Sequence, residues 1–234
     1  MQSHTLSDRA ILDAWQRNAA PWIDAVRGGA IASRKLATDA AVLDATLACK
    51  PHTVIDLGCG EGWLACELMR HGIDVTGVDA VPELIAAAQA AGLIHTRLLT
   101  YEDIARGLLE LRANVVVCNF SLLGAGCVDD LLRTVPTLLE ANGALIVQTL
   151  HPLMACGDHP YVDGWRAGSW VGIDGAFDDA PPWYFRTLES WIALFDASGL
   201  TLRALREPLD PRTGKPASVM FIAQTQLTKT GDIR

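Results

Sequence analysis

The sequence TVIDLGCGEGWLACELMRHGIDVTGVDA, at residues 53–80, decides the fold of this chain. Its first five residues, Thr53 to Leu57, are mostly apolar and β-branched, and glycines follow them at once. That pattern predicts a buried strand that ends in a tight turn. Apolar residues at helical spacing from Glu61 to Met69 predict a helix, which Gly72 ends, and residues 73–78 predict a second strand. The stretch therefore predicts one strand, helix and strand unit.

Three glycines, at positions 58, 60 and 62, occupy the first turn of this unit. A dinucleotide-binding turn of the G-x-G-x-x-G type needs its third glycine where this chain has Trp63, whose indole would obstruct close packing of helix on strand. The phosphate-binding pattern G-x-x-x-x-G-K-[ST] does not occur in the sequence either. What remains is an unobstructed backbone turn, with Asp79 at the tip of the second strand. A carboxylate there can accept two hydrogen bonds from a ribose diol, which predicts a site for a bulky ligand without phosphate groups.

Two segments of this unit carry a resemblance to a known family. IDLGCGEG at Ile55–Gly62 resembles the first motif of the class I S-adenosylmethionine-dependent methyltransferases, and GVDA at Gly77–Ala80 resembles their second motif. In that family the first motif lies against the methionine end of the cofactor, and the acid after the second strand binds the ribose hydroxyls. The resemblance therefore implies S-adenosylmethionine as the cofactor. The implied binding residues are Asp56, Gly58, Gly60, Asp79 and Ala80.

The order of the predicted elements agrees with the fold that this resemblance implies. The predicted strands cover residues 53–57, 73–78, 95–99, 114–118, 144–150, 200–205 and 218–225. We expect an α/β fold with a Rossmann-like, seven-stranded, mostly parallel sheet, an antiparallel last hairpin, and helices on both faces. The 234 residues are expected to form a single domain. Its parts are an N-terminal helical cap (1–50), a cofactor-binding core (51–150), an aromatic-rich acceptor-side insertion after the fifth strand (151–186), and a helix with the strand hairpin (187–226).

Helix-breaking residues decide two of the helix boundaries. Apolar side chains over residues 6–26 predict a helix that is interrupted near Pro21. The amphipathic segment 128–139 predicts another helix, and Asn142-Gly143 is expected to end it. The final residues, 227–234, are expected to be frayed.

Composition and charge limit the classes of function. The chain has 19 basic and 27 acidic residues, a net charge of −8, which disfavours nucleic acid as a partner. Its apolar runs are too short to cross a membrane, and its first residues lack the pattern of a secretion signal, so a cytoplasmic protein is expected. The six cysteines lack metal-type spacing, and we predict no metal site. The sequence leaves the oligomeric state open between a monomer and a homodimer.

Further cofactor-binding candidates lie outside the two motifs. Arg34, before the first strand, could bind a carboxylate of the cofactor through its guanidinium, or it could be a solvated arginine near a helix start. Near the tip of the third strand, the resemblance implies an acidic contact to the adenine amino group by Glu102 or Asp103. The other acid of this pair then favours the N-terminus of the following helix.

The predicted fourth strand delivers Asn119 and Phe120 to the same edge of the sheet. Ligands of open parallel sheets bind beyond the carboxyl ends of the strands, so these residues are expected to contact the cofactor near its transferable methyl group. Family members that methylate adenine N6 or glutamine use an Asn-Pro-Pro-aromatic motif here, and only Asn119 matches it. The resemblance is closer to the small-molecule enzymes, including the ubiquinone-biosynthesis type.

Three residues are candidates for acid–base chemistry. His151 follows the fifth strand, where a general base would face the cofactor, although the His-Pro junction could simply turn the chain. His159 and Tyr184 belong to the insertion, and they could orient or deprotonate an acceptor molecule.

The insertion is long and rich in aromatic residues, and such loops in compact domains are usually functional. Its rings are expected to line an acceptor pocket and to exclude water. The alternative is a small aromatic core that supports the insertion itself. The expected pocket residues are Trp165, Trp170, Trp183 and Tyr184.

These features together predict methyl transfer from S-adenosylmethionine to a small, aromatic or otherwise planar acceptor. Positioning an acceptor behind an already activated methyl group can supply most of the rate, so no catalytic triad is needed. Two alternatives stay open. One is an RNA or protein methyltransferase, and the other is a non-catalytic protein of the same fold that binds S-adenosylmethionine.

Overall fold

The computed structural model describes residues 6–226, and the expected frayed tail lies outside them. A seven-stranded sheet forms the centre of the protein. Its strands are β1 (Thr53–Leu57), β2 (Asp74–Asp79), β3 (His95–Leu98), β4 (Ala113–Asn119), β5 (Leu139–Thr149), β8 (Leu200–Arg206) and β9 (Val219–Thr225). The insertion forms a separate antiparallel hairpin of β6 (Gly164–Arg166) and β7 (Trp183–Phe185).

The strands of the main sheet lie in the order β3-β2-β1-β4-β5-β9-β8. Strands β1 to β5 pair in parallel, while β9 runs antiparallel to both β5 and β8. The predicted Rossmann-like sheet with a final antiparallel hairpin is therefore confirmed. Because the five parallel strands all end at one edge, that edge receives the residues that follow each of them.

The helices cover both faces of this sheet. They are α1 (Asp8–Arg27), α2 (Asp39–Ala48), α3 (Trp63–Arg70), α4 (Pro82–Ala90), α5 (Tyr101–Ala105), α6 (Gly126–Leu138), α7 (Pro152–Ala155) and α8 (Leu188–Ala197), with a π-helical turn (Arg34–Thr38) before α2. On one face, Val116 of β4 packs with α6 and α8; on the other, Val115 packs with α2 and α3. None of the helices within residues 6–226 has both the length and the apolar character that a membrane span requires.

Helix α1 continues through Pro21, so the predicted interruption is wrong. Proline removes the hydrogen bond to the carbonyl four residues earlier, which weakens a helix. Here the apolar face of α1 packs instead: Ala19 is fully buried in a cluster with Val81 and Leu84 around the start of α4. The loss of one hydrogen bond is thus compensated by tertiary contacts that the local sequence does not reveal.

The predicted helix end at Asn142-Gly143 is also wrong. Helix α6 ends at Leu138, and β5 begins at the next residue and runs through this dipeptide. Asn142 has a φ of +64°, and a Cβ at Gly143 would lie 2.9 Å from the carbonyl oxygen of Asn114. The dipeptide therefore fits the irregular start of the β4–β5 pairing, where the register shifts.

Candidate functional site

A cavity of about 830 Å³ opens at the carboxyl edge of the sheet. Small-molecule sites usually enclose roughly 300–1,000 Å³, so this cavity is near the upper end of that range. Its wall comes from the ends of the parallel strands and from α1, which lies over this edge. The wall includes Asp79 and Asn119 at the ends of β2 and β4, Gly58, Gly60 and Leu150 after β1 and β5, and Leu12, Trp15 and Trp22 in α1.

The glycine turn after β1 presents bare backbone to the cavity. Gly58 and Gly60 have φ values of +75° and +58°, a region that favours glycine. A Cβ at Gly58 would lie 2.3 Å from Cβ of Ser121, so the turn packs closely against the segment after β4. A Cβ at Gly60 would find only Nε1 of Trp22 within 4 Å among the described residues, at 3.9 Å. A side chain at Gly60 would therefore occupy space that is now open to a ligand.

Asp79 lies beside this turn. Its Oδ2 accepts a hydrogen bond from the backbone N–H of Gly60, and its Oδ1 accepts one from Val81, each at 2.9 Å. Burial raises the pKa of Asp79, while the backbone N–H groups of Val81, Gly60 and Ala80 oppose that shift. Each carboxylate oxygen has a further lone pair, so Asp79 can still accept hydrogen bonds from a ligand. Ala80 follows it in the cavity wall.

Two more carboxyl groups lie close to Asp79. Glu61 lines the cavity, is 3% exposed, and its Oε1 has no hydrogen-bond partner among residues 6–226. Burial raises the pKa of Glu61. Asp56 is buried and does not belong to the cavity wall, and burial, with the charges of Asp79 and Glu61, raises its pKa to about 8. The predicted direct ligand contact therefore fits Glu61, which the sequence analysis missed, better than Asp56.

The structure separates the two acids near the tip of β3. Asp103 accepts hydrogen bonds from the backbone N–H and the hydroxyl of Thr100, at 3.0 and 2.9 Å, in the capping box of α5. The Thr100 hydrogen bonds lower the pKa of Asp103. Glu102 lines the cavity and Asp103 does not. Of the two alternatives in the sequence, Glu102 is therefore the acid available to a ligand, and Asp103 is the helix cap.

Arg34 lies in the π-helical turn and lines the cavity. Its Nε donates a hydrogen bond to Oδ1 of Asp39 at 3.0 Å, and its Cζ lies 4.7 Å from the centre of the Trp63 ring. The side chain is only 12% exposed. The alternative of a solvated arginine is therefore excluded, and the remaining N–H groups of a held guanidinium border the cavity.

The three candidates for acid–base chemistry do not line the cavity. His151 is buried, and its Nε2 lies 2.8 Å from Oε1 of Glu207, which follows β8. His159 is exposed after α7, and Tyr184 pairs through its backbone N–H with the carbonyl of Leu123. No histidine within residues 6–226 belongs to the cavity wall. The structure therefore does not bring the three predicted acid–base residues to the cavity, and a general base at these positions stays a prediction.

The rings of the insertion pack mainly on one another. Trp165 and Tyr184 of the β6–β7 hairpin have ring centres 5.5 Å apart, and Trp183 lies 5.9 Å from Phe185. Trp170 packs against α1, 5.8 Å from the ring of Trp15. None of the four predicted pocket rings belongs to the cavity wall. These contacts favour the alternative, an aromatic core that supports the insertion, and among the insertion's residues only 171–173 line the cavity.

The rings that do line the cavity include two from α1. Trp15 and Trp22 lie 5.0 Å apart, edge to face. Their spacing of seven residues, about two helical turns, puts them on one face, which is the signal that could have identified them. Asn18 of the same helix is fully buried; it donates to the carbonyl of Asp179 at 3.1 Å and accepts from the N–H of Asp178 at 2.8 Å. Helix α1 and the insertion are therefore joined above the cavity.

Known proteins share the sequence signature and the fold described above. The family described as "Methyltransferase domain" matches residues 20–205. A ubiquinone biosynthesis O-methyltransferase from Xylella fastidiosa (strain M23) is 33% identical over 109 residues, which cover 44% of this chain and only 43% of that relative.

Two solved structures illustrate the likeness of the fold. An S-adenosylmethionine-dependent methyltransferase from Mesorhizobium loti has a TM-score of 0.57 at 22% identity, covering 77% of this chain and 95% of that one. The 1,6-didemethyltoxoflavin-N1-methyltransferase of Burkholderia thailandensis, solved with bound 1,6-didemethyltoxoflavin and S-adenosylhomocysteine, has a TM-score of 0.58 at 18% identity. That match covers 80% of this chain and 76% of the Burkholderia chain.

Proposed function

This chain belongs to the methyltransferase-domain family, and we propose that it transfers a methyl group from S-adenosylmethionine to a small, planar acceptor molecule. One observation carries this proposal. A single cavity extends from the glycine turn and Asp79 to apolar residues such as Leu150 and Ile173, so it offers a polar and an apolar part. A polar, acidic end suits an adenosyl sulfonium compound, and an apolar end suits the acceptor.

The residues at the polar end fit the cofactor. Asp79 has lone pairs free for the ribose hydroxyls, and the bare backbone of Gly60 admits a ligand closely. Glu61 offers an unpaired carboxylate oxygen to the cationic part of the cofactor. The guanidinium of Arg34 can bind the carboxylate of the cofactor. Glu102 is placed for the adenine amino group. The bound cofactor supplies an activated methyl group on its sulfonium.

The chain itself contributes binding, orientation and exclusion of water. Trp15 and Trp22 cover the cavity from α1, which keeps water away from the reacting groups. Tyr101 also lines the cavity, but burial raises the pKa of its hydroxyl well above the ordinary value, and that hydroxyl donates to the carbonyl of Ser121 at 3.2 Å. It therefore stays protonated near neutral pH. Rate acceleration in this site rests on positioning.

Two of the similar known proteins support the proposal that the acceptor is a small molecule. One relative is named as an O-methyltransferase of ubiquinone biosynthesis, and one structural neighbour holds 1,6-didemethyltoxoflavin, a small molecule. The net charge of −8 argues against RNA. The apolar part of the cavity wall, at residues such as Leu150 and Ile173, argues against a protein that binds the cofactor alone.

Calorimetric titration with S-adenosylhomocysteine, NAD⁺ and ATP tests the cofactor assignment, and we expect binding of the first compound only. Transfer from S-adenosylmethionine with a labelled methyl group then tests the acceptor class, with a set of small phenols, bulk RNA and bulk protein as acceptors. Label is expected in the small molecules. Tighter binding of NAD⁺ or ATP, or label in RNA or protein alone, would overturn the proposal.

A further inference from the structure

A buried glutamine connects the end of β4 to the rest of the site. Gln148 of β5 is fully buried, and its side-chain amide makes three hydrogen bonds. Its Nε2 donates to the backbone carbonyl of Thr38 at 2.9 Å and to Oδ1 of Asn119 at 2.8 Å. Its Oε1 accepts a hydrogen bond from the hydroxyl of Ser218 at 3.2 Å. Both N–H groups of this amide and its oxygen thus have defined partners.

The direction of this network follows from one backbone group. A carbonyl oxygen can only accept a hydrogen bond, so the group of Gln148 that faces Thr38 must be its NH₂. The second hydrogen of that NH₂ group then faces Asn119, whose oxygen must be turned towards it. The Nδ2 group of Asn119 is consequently directed away from Gln148. The structure gives this Nδ2 no hydrogen-bond partner among residues 6–226.

Asn119 is half-buried and lines the cavity beside the glycine turn. The pairing of β1 with β4 ends at Asp56 and Val117, so Asn119, at the end of β4, lies next to the glycine turn that follows β1. It lies on the side of the turn opposite Asp79, because β4 and β2 flank β1. An acceptor that approaches the cofactor from the apolar end would therefore pass Asn119.

We propose that Gln148 is a positioning residue that presents the N–H groups of Asn119 to the acceptor, so that the site selects acceptors with an anionic or hydroxyl oxygen over amines. This inference rests on the proposed function. An oxygen has more than one lone pair, so it can accept the Asn119 hydrogen bond and still attack the methyl carbon. An amine has a single lone pair, which the attack requires, and its N–H groups would need an acceptor where Asn119 presents a donor.

The transfer that this arrangement favours is balanced. An oxygen lone pair of the acceptor forms the new O–CH₃ bond, and the electron pair of the S–CH₃ bond remains on sulfur, which gives S-adenosylhomocysteine. An acceptor that enters as a phenolate or carboxylate has no proton to lose. A neutral phenol must release its proton to bulk water before it enters the cavity, so it too reacts as a phenolate.

A Gln148→Glu variant tests the direction of the network. Whether charged or neutral, the new carboxyl group has at most one hydrogen to donate where glutamine has two. When that hydrogen is present, the Thr38 carbonyl accepts it, so in either form no hydrogen remains for Asn119. Asn119 must therefore turn its NH₂ group towards residue 148 and its oxygen towards the cavity. Asn119→Asp is a second variant with the same expected effect, since a carboxylate at this position presents an acceptor to the cavity. Ser218→Ala is the matched control, because it leaves both Nε2 hydrogen bonds in place.

The experiment uses the protein loaded with S-adenosylhomocysteine and two probes of the same shape, catechol and o-phenylenediamine. Calorimetry measures their affinities, and the ¹H–¹⁵N resonances of the Asn119 side-chain amide report the contact. We expect catechol to bind about tenfold more tightly than the diamine and to shift the Asn119 resonances. In Gln148→Glu and Asn119→Asp this preference should disappear or reverse, while Ser218→Ala should keep it.

Three results would overturn the inference: equal affinity for both probes or binding of neither, an unchanged preference in both variants, or Asn119 resonances that respond to S-adenosylhomocysteine and not to catechol. Failure of S-adenosylhomocysteine to bind in the first place would be a different result. It would remove the proposed function, whereas normal cofactor binding without catechol selectivity would remove only this inference.

Discussion

The carboxylate of Asp79 accepts a hydrogen bond from the backbone N–H of Gly60 at 2.9 Å. The acid after β2 is thereby joined to the glycine turn after β1, although 19 residues separate them. The second oxygen of Asp79 is held by the N–H of Val81. The two sequence motifs that resemble those of methyltransferases are thus one structural unit, in which the carboxylate has a fixed position at the cavity.

We expect Asp79→Asn to weaken binding of S-adenosylhomocysteine at least tenfold, about 1.4 kcal/mol or more. Asparagine removes the charge, and its NH₂ group would face one of the two backbone N–H groups that now donate to Asp79. Calorimetry measures the affinity. Asp74→Asn, at the exposed start of the same strand, is the control and should bind like the wild type. An affinity of Asp79→Asn within twofold of the wild type would contradict the assignment.

The neighbouring acids Glu102 and Asp103 should separate binding from stability. Glu102→Gln is expected to weaken cofactor binding and to leave the urea midpoint of unfolding unchanged, because Glu102 lines the cavity. Asp103→Ala should do the reverse, because it removes the acceptor for the N–H of Thr100 in the capping box of α5. Each variant is the control for the other. If both changed the affinity equally, the division of roles between them would be wrong.

Local patterns in the sequence were sufficient to predict the seven strands of the main sheet. The β-branched run at Thr53 to Leu57 predicts a buried strand without any knowledge of distant contacts. The glycines after it predict the tight turn, because the backbone of that turn favours glycine. Asn142-Gly143 shows the limit of such reasoning. The same dipeptide can end a helix or start an irregular strand, and only the approach of the Asn114 carbonyl, far away in sequence, decides between them.

The part of the cavity wall formed by the glycine turn and Asp79 was predictable from the sequence, and the part formed by α1 was not. Gly60 and Asp79 belong to two motifs within one continuous stretch, residues 53–80, whereas α1 reaches the cavity through distant contacts. Asp8, for example, accepts hydrogen bonds from the N–H groups of Ala125 and Cys127, at 2.6 and 3.0 Å. Aromatic composition could not locate the pocket either, because rings such as Trp183 suit a supporting core as well as a ligand.

Substitution of a tryptophan in α1 should therefore weaken ligand binding, whereas substitution of a tryptophan in the insertion should lower the stability of the protein. Trp22→Leu removes a ring from the cavity wall, and we expect about a fivefold loss in affinity for S-adenosylhomocysteine. Trp183→Leu should leave that affinity within twofold and lower the thermal midpoint, because this ring packs on Phe185 outside the cavity wall. Calorimetry and thermal unfolding of both variants provide the comparison. A loss of methyl transfer in Trp183→Leu, with unchanged affinity for S-adenosylhomocysteine and an unchanged thermal midpoint, would restore the insertion as the acceptor pocket.

The buried carboxyl group of Asp56 should make the ligand-free protein less stable as the pH rises. Its pKa is about 8 in the folded protein, against about 3.9 for an ordinary aspartate. Between these values the folded state holds a proton that the unfolded state has released. The free energy of unfolding therefore falls with increasing pH, by at most about 1.4 kcal/mol per pH unit from this group. Above pH 8 both states are ionised, and the contribution no longer changes.

Asp56→Asn should remove this dependence, because an amide does not titrate. Urea unfolding of the wild type and the variant at pH 5, 6, 7 and 8 gives the difference between their free energies of unfolding. Groups that titrate alike in the two proteins do not contribute to this difference. We expect the free energy of unfolding of the variant to increase steadily, relative to that of the wild type, from pH 5 to pH 8. Asp44→Asn, at an exposed aspartate of α2, is the control for the replacement of a carboxyl group by an amide. A constant difference for Asp56→Asn would mean that Asp56 is ionised in the folded protein, and that the acids around the glycine turn are better solvated than their burial implies.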